Sequence, residues 1–441
     1  MNELPVDMRI QNFDEVKTGY TKEQAIEEAS RCLHCENPTC ITGCPVRINI
    51  KDFIAKIKED NPDAALEIIS KNSTLPGVCG RVCPQEKQCE AMCVLAKAEK
   101  QIAIGNLERY AADNGKTNIV KAEKTGRKVA IIGSGPGGLT CASELIINGV
   151  DVTIFEALHE AGGVLMYGIP DFRLPKKIVK QEVDRILSLG VELKLNHVVG
   201  KIISLKEIEE EYDAVFIANG AGLPGFLGVP GENLPSVISA NEYLVRNNLM
   251  KAYRYPVYKT PVNKVSRVCI VGGGNVVVDA SRVAKRLGAD VSIIYRRTML
   301  EMPERAEEVL HAQAEGIKII ELAEPVEFIE SENATIMKYE KMKPGEPDES
   351  GRKHPEHTGE FFELETDEVI IAIGQKPNPM LAKEIKDVGI KSGVKGEIIV
   401  DDNMQTSNPK FFAGGDIIGG KTTVIKAMGN GRTAAKKILG N

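Results

Sequence analysis

The chain has 441 residues, of which 42% are apolar and 27% charged, with a net charge of −6. This is ordinary for a globular protein of two to four domains with a substantial buried core, and so mild and dispersed a charge argues against nucleic acid as a partner. The N-terminus is charged without an apolar signal region, and no apolar run approaches the ~18 residues of a membrane span, so a cytoplasmic protein with no membrane partner is expected.

Residues 1–120 read as helical. Thr21-Lys-Glu-Gln24 is a capping box, and Ala25, Ile26, Ala29 and Leu33 continue it as a helix that delivers Cys32 at its end. Residues 52–57, 63–69 and 104–112 read as further helices, and no strand alternation appears. This region holds eight of the ten cysteines. Cys32, Cys35, Cys40 and Cys44 form one group, with Pro45 directly after it; Cys79, Cys83, Cys89 and Cys93 form the other. Without an export signal the pattern favours metal ligation over disulfides. Eight thiolates match two four-iron clusters, and a Cys-x2-Cys run closed by Cys-Pro is a common form of such sites. Structural zinc fits less well, because the second group runs Cys-x3-Cys-Pro-x4-Cys-x3-Cys, poor spacing for a zinc ribbon. In two-cluster ferredoxins the Cys before Pro ligates the other cluster. By that logic Cys32, Cys35 and Cys40 share a cluster with one Cys of the second group. Spacing does not fix which one; Cys93 is taken, leaving Cys44 with Cys79, Cys83 and Cys89.

From residue 127 the pattern changes. Residues 128–132 read as a buried strand, followed by Gly133-Ser-Gly135-Pro-Gly-Gly138, a helix and a second strand over 151–155. The first glycine permits the tight turn, the second lets the backbone approach a pyrophosphate, and the third lets helix and strand pack closely. Glu156 follows the second strand, where a carboxylate accepts hydrogen bonds from ribose hydroxyls. Gly162-Gly-Val-Leu-Met-Tyr-Gly168 resembles the stretch beside the isoalloxazine ring of flavoproteins, giving Gly163, Leu165 and Gly168 as candidate contacts. The same strand–turn–helix–strand order recurs with Gly272-Gly-Gly274-Asn275, where Val277 takes the place of the usual third small residue. Tyr295 occupies the position matching Glu156, and Arg296 and Arg297 follow it. Guanidinium groups there grip a 2′-phosphate, so this turn is read as an NADP(H) site.

Residues 344–360, rich in Pro, Gly and charge, read as a surface loop joining two strands. Ala372-Ile-Gly374 resembles a strand end that closes over a nicotinamide. Phe411-Phe-Ala-Gly-Gly-Asp416 resembles the flavoprotein motif whose Asp contacts the ribityl chain, which makes FAD the ligand of the first turn. A helix over 423–439 follows. The expected fold is α/β: a helical iron–sulfur domain followed by two Rossmann-like domains. The expected boundaries are 1–120 for the two 4Fe-4S clusters, 121–245 with 375–441 for FAD, and 246–374 for NADP(H). Cys141 and Cys269 read as core residues, far apart and without a dithiol motif.

The chain resembles the small (β) subunit family of NADPH-dependent glutamate synthase. It is similar also to the iron–sulfur/flavin half of dihydropyrimidine dehydrogenase and to the large subunit of NADH-dependent reduced ferredoxin:NADP oxidoreductase. The resemblance rests on Ala29-Ser-Arg-Cys-Leu-His-Cys35, Cys79-Gly-Arg-Val-Cys-Pro84, Ile104-Gly-Asn-Leu-Glu-Arg109, Tyr167-Gly-Ile-Pro170 and Tyr295-Arg-Arg297, together with both glycine turns and Gly415-Asp416. Relatives often carry another basic residue just past the arginine pair, where this chain has Met299 and Leu300. The resemblance implies an electron relay from NADPH through FAD and the clusters to a partner. That partner is a glutamate synthase large subunit or a ferredoxin-reductase-like small subunit, with ferredoxin a further candidate. No catalytic side chain is named, since hydride transfer needs none. The chain begins Met1-Asn2 and leaves no length for a (β/α)₈ barrel of ~250 residues, so any glutamate is expected to be made in the partner. The reading from another class is a zinc-stabilised scaffold without enzymatic activity.

Overall fold

A computed structural model describes residues 2–303, 305–348, 351–420 and 422–440. The N-terminal module packs helices Lys22–Ser30, Thr39–Gly43, Ile50–Lys58, Pro62–Ser70, Pro76–Val82 and Ile104–Asn114. Their starts follow from local chemistry. Thr21 and Gln24 form a reciprocal capping box, and the Asn61 side chain accepts the Ala64 N–H just ahead of Pro62. Ile50, Phe53, Ile54 and Ile57 repeat at three- and four-residue spacing and are all buried. The module is not wholly helical: Asn2–Glu3 pairs antiparallel with Lys17–Gly19. Strands of two and three residues are too short to show alternation in sequence.

Two parallel five-stranded sheets follow. The first has the order Phe411–Ala413, Ala214–Ile217, Lys128–Ile132, Asp151–Phe155, Glu192–Lys194. The second runs Lys318–Glu321, Asp290–Tyr295, Arg267–Val271, Glu368–Ile371, Val237–Ser239. Two parallel sheets, each with a strand–glycine turn–helix unit at its centre, are the α/β architecture expected. The strand Val237–Ser239 lies in the second sheet although it precedes residue 246, the expected start of the nucleotide half. The chain crosses between the halves where Leu223–Pro224 pairs with Gln375–Lys376. A three-residue edge strand carries too little pattern to set a boundary.

The stretch 344–360 is also mostly strand rather than loop. Thr335–Pro347 and Lys353–Thr366 form a long antiparallel hairpin, the outer part of a three-stranded meander begun by Ala323–Glu330. Beyond Lys341 the middle strand pairs on one side only, an edge position that tolerates Pro344 and Pro347. One apolar core runs unbroken from Ile54, Leu107 and Cys79 to Leu139, Ala142 and Met428. The cysteine module and the first nucleotide fold are therefore a single packed body. The helix Val424–Leu439 seals it by lying against Pro136–Ile147.

Candidate functional site

The cysteines form two interleaved sets. Cys32, Cys35, Cys40 and Cys93 line one cavity, closed on its inner side by Ile50, Ile54 and Ile104. The thiols of Cys44, Cys79, Cys83 and Cys89 are buried together elsewhere. Cys83 is hydrogen-bonded to Cys79 and also feels the charge of Cys89, while Cys44 interacts electrostatically with Cys79 and with Cys89. Burial pushes Cys40 and Cys44 up to about 11. Four such thiols become a thiolate set only against a multivalent cation. Two all-sulfur sets of four fit that need, because four thiolates are the donor set of a four-iron cluster.

The second set adjoins the first nucleotide fold. Cys79 Sγ lies 3.5 Å from Met428 Sδ on the helix Val424–Leu439, and the Gly77 N–H donates to Glu182 at 2.8 Å. The first set lies further out: Cys32, Cys35, Cys40 and Cys93 are half-buried, and Leu33, Met92 and Val94 beside them are exposed. Glu108 is buried near Cys44, Cys83 and Cys89, and its carboxyl is raised to about 8 by burial and by the charge of Glu182.

In the first turn Gly133 has φ +99°, and a Cβ on Gly138 would lie 2.0 Å from the Gly133 oxygen. Only glycine fits either place. Gly135 is different, since an added Cβ there meets no protein atom within 4 Å. It faces open space at the start of the helix Pro136–Ile147, where a pyrophosphate would approach the positive helix end. Glu156 is buried and already engaged. Its Oε2 accepts from Ser134 N at 2.9 Å and Ser134 Oγ at 2.5 Å, and its Oε1 accepts from Leu158 N at 2.8 Å. It thus braces the turn, with lone-pair capacity on Oε1 left for a ribose hydroxyl. Ser134 is a residue the sequence pattern did not single out.

The segment that carries Gly163, Leu165 and Gly168 lies directly on this turn. A Cβ on Gly163 would meet Gly135 Cα at 2.9 Å, and the Gly162 N–H donates to Ser134 Oγ. Two further residues absent from the sequence reading hold it from behind. Lys176 Nζ is buried and donates to the carbonyls of Leu165 and Ile169; Asn248 Nδ2 donates to those of Tyr167 and Gly168. Burial lowers Lys176 to about 8, partly offset by Asp171 and Asp279. No local motif marks either, because both act through tertiary contact. Asp416 belongs to the same neighbourhood: burial raises Tyr167 to about 12, helped by the charges of Asp416 and Glu156. The Asp416 carboxyl is itself pushed up by surrounding protein, against a hydrogen bond from Thr422.

In the second turn Gly272 has φ +137° and backs onto the Ala372 oxygen, while Gly274 faces open space. Asn275 opens the helix Asn275–Arg286. Val277 is fully buried in this fold's core, so the bulkier third residue is absorbed by packing. The Tyr295 ring lies over Gly273, where a Cβ would come within 2.3 Å of it. The two arginines diverge, as consecutive residues past a strand do. Arg296 is exposed and pairs with Glu324 at 3.2 Å, whereas Arg297 is buried and pairs with Asp348 at 2.9 Å. Gly374, with φ +112°, accepts the Gly225 N–H at the crossing between the halves. Cys141 is buried on the helix Pro136–Ile147 and Cys269 in the strand Arg267–Val271, and they form no pair.

A parallel fold with two open glycine turns, joined through a common core to a module with two cysteine sets, defines a pyridine-nucleotide flavoprotein fused to an iron–sulfur unit. Known proteins agree. Residues 127–431 match the pyridine nucleotide-disulphide oxidoreductase family model, and residues 9–120 match dihydropyrimidine dehydrogenase domain II, 4Fe-4S cluster. The chain is 37% identical to the glutamate synthase [NADPH] small chain of Halomonas elongata, over 99% of this chain and 94% of that one. With the Escherichia coli glutamate synthase [NADPH] small chain it shares 35% identity, over 99% and 95%. Among solved structures, Mycobacterium tuberculosis FprA in complex with NADPH is similar in fold, with TM-score 0.59 and 21% identity, covering 71% of this chain and 85% of that one. The chain belongs to the pyridine nucleotide-disulphide oxidoreductase family and, within it, to the group of the glutamate synthase [NADPH] small chains. It is an NADP-dependent oxidoreductase of the FAD and 4Fe-4S type. No helix among the described residues is long and apolar enough to cross a membrane.

Proposed function

We propose that the chain is the electron-relay subunit of an NADPH-dependent glutamate synthase, serving a large subunit that makes glutamate. Gly133, Gly135, Gly138 and Glu156 would hold the FAD pyrophosphate and ribose. Gly163, Leu165, Gly168 and Asp416 would line its ring and ribityl chain. Gly272, Gly274, Asn275, Arg296, Arg297 and Gly374 would hold NADP(H). Cys44, Cys79, Cys83 and Cys89 would bind the cluster nearer the flavin, and Cys32, Cys35, Cys40 and Cys93 the outer one. When bound, these groups supply the conversion of a two-electron hydride donor into single electrons. The protein's part is placement. Lys176 and Asn248 fix the segment beside the ring, Glu156 fixes the first turn, and the shared core fixes the inner thiols against the flavin fold.

The observation that carries this reading is the contact of Cys79 with Met428, with the other cysteine set facing outward. It orders the two sets from the flavin fold to the surface. The test is anaerobic co-purification of the full chain with candidate partners, followed by NADPH reduction. Capture of a glutamate synthase large subunit and NADPH-driven glutamate formation are expected. Capture of a ferredoxin-reductase-like chain instead would replace the glutamate assignment. A colourless, zinc-containing protein without flavin would end the relay reading.

A further inference from the structure

Charge-assisted, bidentate guanidinium contacts are the strong ones to phosphate, so each further cation beside a 2′-phosphate tightens its grip. Past Arg297 the chain runs Thr298-Met299-Leu300 and supplies no further cation locally. One arrives from the tip of the hairpin formed by Thr335–Pro347 and Lys353–Thr366. Asp348 Oδ2 accepts from Arg297 Nη2 at 2.9 Å and lies 3.9 Å from Arg352 Nη2. Its Oδ1 accepts the Arg352 N–H at 3.2 Å. Asp348, Arg352 and Lys353 are fastened in place. The Asp348 N–H donates to the Arg352 oxygen at 2.7 Å, and the Lys353 N–H donates to Glu301 Oε1 at 2.6 Å. Glu301 in turn caps the short turn that opens at Thr298, directly after Arg297. One carboxylate therefore gathers two guanidinium groups, one of them buried, at the end of the strand Asp290–Tyr295.

We infer that Asp348 and Arg352 set the pyridine-nucleotide preference of this chain: Arg352 is a further cation for the 2′-phosphate, and Asp348 competes with that phosphate for Arg297 and Arg352. The inference rests on the NADP(H) reading of the second turn. The phosphate carries the greater charge and three oxygens, so it outbids a single carboxylate for two guanidinium groups. A nucleotide without the phosphate leaves the Asp348 pairs intact, and the carboxylate retains acceptor capacity for the bare ribose hydroxyl. Asp348 thus narrows the gap between NADPH and NADH, and Arg352 widens it.

The experiment is equilibrium binding of NADPH, NADH and 2′,5′-ADP to the full-length holoprotein and to the variants D348N, R352A, R352K and R297A. D348N is expected to tighten NADPH and 2′,5′-ADP by about three- to tenfold, and R352A to weaken both by about as much, the scale of one partly exposed charge pair. NADH affinity is expected not to rise in D348N and not to change in R352A, and R352K should recover part of the loss. Unchanged or weaker NADPH binding in D348N overturns the inference, as does an R352A variant that binds NADPH normally. R297A separates the two levels. If it weakens NADPH selectively while the Asp348 and Arg352 variants are silent, only this inference fails; if R297A is silent too, the reading of the second turn fails with it.

Discussion

Replacing Glu315 by Gln removes one negative charge from the most crowded buried ion network in the chain. The side chain has no exposed area, and it pairs with Arg282 Nη2 at 2.8 Å, Arg286 Nη1 at 2.7 Å and Arg9 Nε at 3.1 Å. Arg282 and Arg286 lie on the second nucleotide helix and stack on Phe172, with guanidinium-to-ring distances of 4.8 and 3.9 Å. Phe172 follows the segment beside the flavin position, and Arg9 belongs to the N-terminal arm. Glu315 is therefore the counter-ion that ties three parts of the chain together. Removing one partner of a buried pair costs about 3–5 kcal/mol. Glu308 still faces Arg282 and Glu3 still faces Arg9, which places E315Q near the lower end, at about 3 kcal/mol. Urea unfolding of the anaerobic holoprotein reads this as an earlier loss of the nucleotide half. In a double-mutant cycle, Arg9→Leu should cost less in the E315Q background than alone. The pH dependence has a definite sign. Burial raises the Glu315 carboxyl, but hydrogen bonds and charge from Arg286 and Arg282 outweigh it and hold the group below 4.5. The stability it contributes is present above that value and lost as pH falls through the lower folded one, so acid destabilises wild type more steeply than E315Q. A loss under about 1 kcal/mol in E315Q would refute the argument, leaving the three guanidinium groups held by packing and their other acids.

The two open glycines predict a contrast with the closed one. G135A should fold normally, since its Cβ meets no protein atom, yet lose FAD affinity by at least about tenfold because the methyl lies in the pyrophosphate's path. G138A, with its Cβ 2.0 Å from the Gly133 oxygen, should lose both thermal stability and flavin, as read by melting and visible absorbance. Among the cysteines, C93S is expected to remove the signal of one reduced cluster and leave the other reducible by NADPH. C89S should remove the cluster next to the flavin fold and block transfer onward to artificial acceptors. Identical electron paramagnetic resonance spectra for the two variants would refute the interleaved assignment.

Much of this site is legible in the sequence because its determinants are local. Glycine turns sit in register between a strand and a helix, so Gly133, Gly135 and Gly138 announce the fold and the place proposed for the pyrophosphate. The proline after the fourth cysteine marks Cys44 as the residue that crosses over, but spacing does not fix its counterpart; in the structure Cys93 lines the cavity of Cys32, Cys35 and Cys40, and Cys44 is buried near Cys79 and Cys89. What the sequence hides is tertiary. Val237–Ser239 becomes a strand only because Glu368–Ile371 is beside it. Pro344, Gly345 and Pro347 signal a loop, but the neighbouring strand at an edge makes them part of a hairpin. Arg296 and Arg297 read as a pair, yet beyond the strand end they part, toward acids 28 and 51 residues away along the chain. Lys176 and Asn248 have no pattern at all, since their partners are backbone carbonyls of another segment.

The interleaving has a structural consequence for the relay. The short helix Thr39–Gly43 carries Cys40 into the outer set and ends at Cys44, which belongs to the inner one. The two residues are about one helical turn apart, so a single rigid element fixes part of both ligand sets. Cys93 closes the same arrangement from the other side, four residues after Cys89. The two proposed ligand sets are thus positioned in part by shared elements. The inner set shares an apolar core with Leu139 and Ala142 of the first nucleotide helix and with Met428. Misplacing one ligand is therefore transmitted through packed side chains to the floor of the flavin site, and not merely along the chain. The same continuity explains why the outer set is the one that meets solvent. The inner set is walled in by the flavin fold, and only Cys32, Cys35, Cys40 and Cys93 remain half-buried beside exposed Leu33, Met92 and Val94, where a partner can approach.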